Sequence, residues 1–171
     1  MIKKQINQND TFNKEFLKFV EDTYTFDNTS INRTINKPDS IDKRNLLEVL
    51  KRKIEEIEDC NLKNNAKKIV FSDGNFDSPL MIVGEAPGEK EDEKGKPFVG
   101  EAGLLLNRML AAIKLNRENI YITNLINYRP PDNRKPEKNE IFRYSKYLKE
   151  HISIINPRIL ILMGSAAMES L

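Results

Sequence analysis

Leu80-Met81-Ile82-Val83-Gly84-Glu85-Ala86-Pro87-Gly88 runs on through Glu91-Asp92 into Gly95-Lys96-Pro97-Phe98-Val99-Gly100. A short apolar run stops at a loop rich in glycine and proline that carries carboxylates and one isolated phenylalanine. In an open α/β sheet, the loop beyond a strand's carboxyl end is where ligands bind. Glycine lets backbone N–H and C=O groups come close to a ligand, and proline holds the loop in one shape. The Gly-Lys-Ser/Thr ending of a phosphate-binding loop is absent, which argues against nucleotide hydrolysis.

Two more strands are expected downstream. Ile120-Tyr121-Ile122-Thr123 ends in the polar loop Asn124 to Lys135, and Ile159 to Met163 leads into Gly164-Ser165-Ala166-Ala167. Ahead of the first, Leu105, Leu106, Met109, Leu110 and Ile113 predict a helix, and between the two Pro136 starts another that runs to about Ile152 with Ile141, Leu148 and Ile152 inward. Upstream, Asp42 caps a helix with the stripe Leu46, Leu47, Leu50, Ile54 and Ile57, and Ile69-Val70-Phe71 suggests an edge strand ending in the turn Ser72 to Asn75. This alternation predicts a three-layer α/β/α sandwich on a central parallel sheet. Residues 1–41 form an Asn-rich extension with one helix, Phe12 to Tyr24, and a tether behind it; residues 42–171 are the domain. The chain stops at Leu171, barely one turn into a helix, so we expect the sandwich to be incomplete at its C-terminus.

With 171 residues, 39% hydrophobic and 32% charged, the chain suits one globular domain. A net charge of +2 permits a local nucleic-acid patch without arguing for one. No segment reaches 18 apolar residues and the N-terminus has no signal-peptide character, so a cytoplasmic protein with no membrane partner is expected. Cys60 is the only cysteine, which rules out an internal disulfide. The only histidine, His151, lies late in a helix beside Glu150 and is expected at the surface.

The stretch from Gly84 to Asp92, with Phe98 and Gly100 behind it, resembles the first motif of family-four uracil-DNA glycosylases and the related domain of the phage SPO1 DNA polymerase. The resemblance spans about residues 54 to 171. It implies hydrolysis of the bond between uracil and deoxyribose in DNA, on a base flipped out of the duplex. It places Glu85 and Ala86 against the base, Glu91 beside the pyrimidine C5, and the backbone of Ala86, Pro87 and Gly88 on the other polar atoms. Family-one enzymes carry a water-positioning aspartate where Ala86 stands, so Glu85, Glu91 or backbone carbonyls must take over that task.

Phe98 taken alone reads as a core residue; the resemblance makes it the ring that stacks on uracil. Asn124 taken alone reads as a turn former. Its amide offers an acceptor and two donors, which match the N3–H and O4 edge of uracil, and the family places its uracil-reading asparagine here. Arg129, Arg134 and Lys135 form either a solvated loop or a set of DNA phosphate contacts, and Ser165 opens a turn that could hold a phosphate.

Many family members hold a four-iron–four-sulfur cluster on four cysteines. Here those places fall at Ile57, Cys60, Tyr128 and Tyr144, so no metal and no cofactor is expected, and Cys60 becomes a small buried hydrophobe. The family's second motif, a His-Pro-Ser type loop, is expected after the helix that begins at Ser165, beyond Leu171. The expected partner is uracil-containing DNA, bound by a monomer. Two other readings stay open: a catalytically silent DNA-binding module, and a relative that traps uracil covalently through a histidine insertion that Asn133-Arg134-Lys135-Pro136 lacks.

Overall fold

A computed structural model describes residues 42–171. The helix expected at Phe12 to Tyr24 and the tether behind it lie outside the described residues. The order is α1 (Lys43–Glu55), α2 (Asn61–Asn65), β1 (Ser72–Gly74), β2 (Leu80–Gly84), α3 (Glu89–Lys94), α4 (Glu101–Ala112), β3 (Tyr121–Asn124), α5 (Lys138–Ile155), β4 (Ile159–Leu162) and α6 (Ser165–Glu169), with 3-10 turns at Arg117–Asn119 and Pro131–Asn133.

The sheet order is β1-β3-β2-β4. β3 and β4 flank β2 in parallel, while β1 runs antiparallel on the edge of β3. The edge strand is therefore Ser72–Gly74, not Ile69 to Phe71. Val70 is fully buried and paired with Asn127, whose carbonyl accepts from the Val70 N–H and whose amide donates to the Val70 carbonyl. Polar residues take the edge, as edges require.

Side-chain alternation splits the sheet between two cores. Met81, Val83 and Tyr121 pack with Leu50 and Ile54 of α1 and with Tyr144, Leu148 and Ile155 of α5. Ile82 and Ile122 face the other way, onto Leu106 and Leu110 of α4. The three layers follow from these two faces. Asp42 caps α1 as expected, accepting from the N–H groups of Arg44 and Asn45. Leu46, Leu105, Met109 and Ile113, expected inward, are exposed, because Leu47, Leu50 and Ile54 fill the contact of α1 and Leu106 and Leu110 that of α4.

His151 corrects the expectation of a surface residue. It continues the inward row of Tyr144, Leu148 and Ile155 on α5 and is only 2% exposed. Its ring stacks on Phe71 at 4.7 Å, and Nε2 lies 2.7 Å from the Tyr121 hydroxyl. Burial pushes its pKa down to about 3. The unfolded chain takes up this proton near the ordinary value of about 6.5, whereas the folded ring resists it until about pH 3. Between those values the unfolded state binds more protons, so stability falls as pH drops. Denaturant titrations at pH 7 and pH 5 should differ by about 2 kcal/mol. With no other histidine in the chain, equal stabilities at the two pH values would refute the buried neutral ring.

Candidate functional site

The three parallel strands end on one edge. The register pairs Gly84 with Asn124, and the ladder continues through Leu125 N–H to Gly84 C=O at 2.9 Å and Ile126 N–H to Glu85 C=O at 3.0 Å. Met163 N–H donates to the Val83 carbonyl from the third strand's end. Loops expected to carry chemistry are thus brought side by side by backbone pairing alone.

Gly84 forms the floor of the site. A methyl group built there would overlap Asn124 Oδ1 and lie 2.6 Å from Phe98 Cζ. The Phe98 ring edge and the Asn124 amide therefore converge on one glycine. A cavity of about 330 Å³ opens above them, lined also by Glu85, Ala86, Gly88 and Met163. That volume is at the small end of ligand pockets, about 300–1,000 Å³. Asn124 is 4% exposed, and its side-chain amide makes no hydrogen bond among the described residues. An amide that lines the cavity and has no partner among the described residues is ready to bond a ligand.

Phe98 reaches this place by an unusual backbone. Its φ is +54°, in the left-handed region that bulky residues avoid. The segment is held by Glu91, whose Oε1 accepts from the N–H groups of Val99 (2.7 Å) and Gly100 (2.6 Å), while Oε2 accepts from Gly88 (3.2 Å). Glu91 was expected beside the base as a candidate catalytic acid. It does line the cavity, and its carboxylate also accepts from three main-chain donors that tie the start of α3 to the end of the Phe98 loop. Glu85 keeps its carboxylate without a hydrogen bond among the described residues, at the cavity wall and next to Gly164, where a methyl group would lie 3.0 Å from Oε2.

The model of the uracil DNA glycosylase superfamily matches residues 71–171, more than half of the chain. The chain belongs to this superfamily. It is 38% identical over 123 residues to a type-4 uracil-DNA glycosylase of Thermotoga maritima, covering 72% of this chain and 64% of that protein. It is 44% identical over 119 residues to one from Saccharolobus solfataricus, covering 69% and 55%. The chain thus spans less than two thirds of either relative's length. A DNA polymerase of Bacillus phage SP01 is 32% identical over 111 residues, 64% of this chain and 12% of that protein.

The four places that the resemblance assigns to cluster cysteines lie close to one core. Cys60 is buried, with Sγ 3.5 Å from the Tyr144 hydroxyl. Tyr128 and Tyr144 are buried in the same core, against which Ile57 packs. Burial pushes the Tyr128 phenol up to about 12 and the Tyr144 phenol further still, so neither supplies a phenolate. One thiol, one alkyl group and two neutral phenols do not fit a four-iron cluster. Among the described residues no group of three or more His, Cys, Asp or Glu is placed to hold a metal ion.

The outer cations divide. Arg134, expected on DNA phosphate, is bidentate on Glu140 at 2.9 and 2.7 Å and holds that carboxyl below the usual carboxylate range, so it fastens its loop to α5. Arg129 Nε donates to Asn133 Oδ1 at 2.8 Å, with Nη1 4.0 Å from Glu89. Lys135 is exposed and makes no ion pair among the described residues, and Ser165 is exposed at the first position of α6. No helix among the described residues is long and apolar enough to cross a membrane.

Proposed function

We propose that this protein excises uracil from DNA by hydrolysing its N-glycosidic bond. The observation that carries the proposal is the convergence of the Phe98 ring and the Asn124 amide over Gly84. A ring reads the flat face of a base and an amide reads its edge, so the pair suits one extruded pyrimidine. Stacking contributes about 1–3 kcal/mol per base. Asn124 Oδ1 accepts from uracil N3–H and its NH₂ donates to O4. Cytosine presents the reverse pattern and leaves buried groups unpaired, which such sites reject strongly.

In the hydrolysis, the C1′–N1 bond breaks and its electron pair leaves with the base, while the sugar gains oxocarbenium character. A water oxygen bonds to C1′, and the proton it loses ends on the departed uracil anion, giving free uracil and an abasic sugar. Glu85 lines the cavity and has no hydrogen bond among the described residues, so it orients that water, while Glu91 serves the main chain. The N–H of Gly88 already donates to Glu91, so the other polar atoms of the base meet backbone groups of Ala86 and neighbouring turns. Arg129 and Lys135 offer phosphate contacts at the rim.

Incubation with oligonucleotides carrying one uracil or one thymine, followed by alkali, tests this. Strand scission at uracil and none at thymine is expected. A second reading, a silent DNA-binding module, is favoured by the match to a small part of a polymerase. Selective retention of the uracil strand without scission supports that module, and equal treatment of both strands refutes both readings.

A further inference from the structure

The peptide around Phe98 is also gripped from a second side, by a residue distant in sequence. Arg117 lies in the 3-10 turn before β3, 19 residues from Phe98 in sequence. Its Nη2 donates to the Pro97 carbonyl at 2.7 Å and Nη1 to the Phe98 carbonyl at 2.9 Å. Nε donates to Asp73 Oδ2 on β1 at 2.8 Å. The Asp73 carboxylate also meets Lys96 at 3.3 Å. Burial alone would raise the Asp73 carboxyl, but Arg117 and Lys96 outweigh it and hold it below its ordinary value, so the anchor is charged at neutral pH.

The loop thus has its carbonyls bound on one side by Arg117 and its amides on the other by Glu91. Gly103 completes the grip, since a methyl group there would overlap the Phe98 carbonyl and lie 2.9 Å from its Cα. A backbone in the left-handed region persists only where its surroundings over-determine it. A planar guanidinium spanning two adjacent carbonyls and a carboxylate supplies that constraint, which an ammonium could not reproduce.

We infer that Arg117, anchored by Asp73, is a positioning residue that fixes the left-handed backbone of Phe98 and so sets the ring over Gly84. Its consequence for base binding rests on the proposed uracil reading; its control of the ring does not. Two measurements keep these apart.

The first uses 4-fluorophenylalanine labelling and ¹⁹F NMR of the whole chain. Among eight phenylalanines, the Phe98 signal is the one lost in Phe98→Leu. In Arg117→Gln that signal should shift or broaden in the absence of DNA, and Asp73→Asn should move it in the same direction by less. An unchanged Phe98 signal in folded Arg117→Gln, or in Asp73→Asn should the first variant not fold, overturns the inference.

The second is a double-mutant cycle on affinity for a single-stranded oligonucleotide with one uracil. Arg117→Gln should weaken uracil-dependent binding about tenfold when Phe98 is present and less than twofold in a Phe98→Ala background, since residues that act through one another are non-additive. Arg117→Lys should recover little of the loss. An equal fall in both backgrounds makes Arg117 merely structural and overturns the inference. A shifted ¹⁹F signal in a protein that ignores uracil refutes the function reading and leaves the positioning role in place.

Discussion

Asn124→Asp is expected to lower the uracil-dependent activity, measured as kcat/KM or as selective binding, by about a hundredfold or more. The replacement has the same shape but exchanges an NH₂ donor for a second acceptor. Against uracil, the carboxylate would face O4 acceptor to acceptor in an enclosed place. Losing the bond and leaving a buried group unpaired costs about 1–3 kcal/mol, and more where a charge is involved. Cytosine offers an NH₂ at the same position, so the preference for uracil over cytosine should fall further than the activity itself. Oligonucleotides with uracil, cytosine or thymine at one site, compared on wild type and variant, give the ratio. An unchanged ratio would remove Asn124 from the site.

Gly84→Ala should be as damaging, through a single methyl group. It cannot be accommodated without moving Asn124 Oδ1 or the Phe98 ring, whose Cζ and Cε2 would lie 2.6 and 2.7 Å away. Neither neighbour is a loose side-chain end: Asn124 leaves a buried strand, and Phe98 is held by Glu91 and Arg117. Overpacking of this kind costs about 1–3 kcal/mol of stability. Displacing the ring forfeits stacking of about 1–3 kcal/mol as well, and disturbing the amide adds the loss of edge bonding. The uracil-dependent signal should fall about a hundredfold or more, with a lower melting temperature. A variant that retains activity within threefold would show that ring and amide do not share this floor.

Both expectations depend on residues that differ in how far they can be read from the chain. The apolar run Leu80 to Val83 before a Gly/Pro loop announces a buried strand, and Asn124 directly after Ile120-Tyr121-Ile122-Thr123 announces a polar group at a strand end. On α5, Leu148 is inward as expected, but His151 reads as a surface residue beside Glu150, while the helix period carries it round to Tyr144 and Leu148. On α4, five apolar residues competed for a contact that two of them fill. Arg117 gave no signal at all, since its partners Pro97, Phe98 and Asp73 lie 20, 19 and 44 residues away. The main-chain bonds of Glu91 were equally hidden, because they depend on N–H groups that only a folded loop presents.

Local composition by itself determined that this chain makes strands ending in glycine- and asparagine-bearing loops, that helices alternate with them, and that one cysteine cannot furnish a thiolate cluster. Only the tertiary structure decided that Gly84 stands opposite Asn124, that Phe98 turns left-handed to meet them, and that Glu91 and Arg134 are committed to the protein's own backbone and to Glu140. The reason is that periodicity and turn chemistry act between near neighbours, whereas strand register and the pairing of a charge are settled by whichever distant groups the packed layers bring within bonding distance.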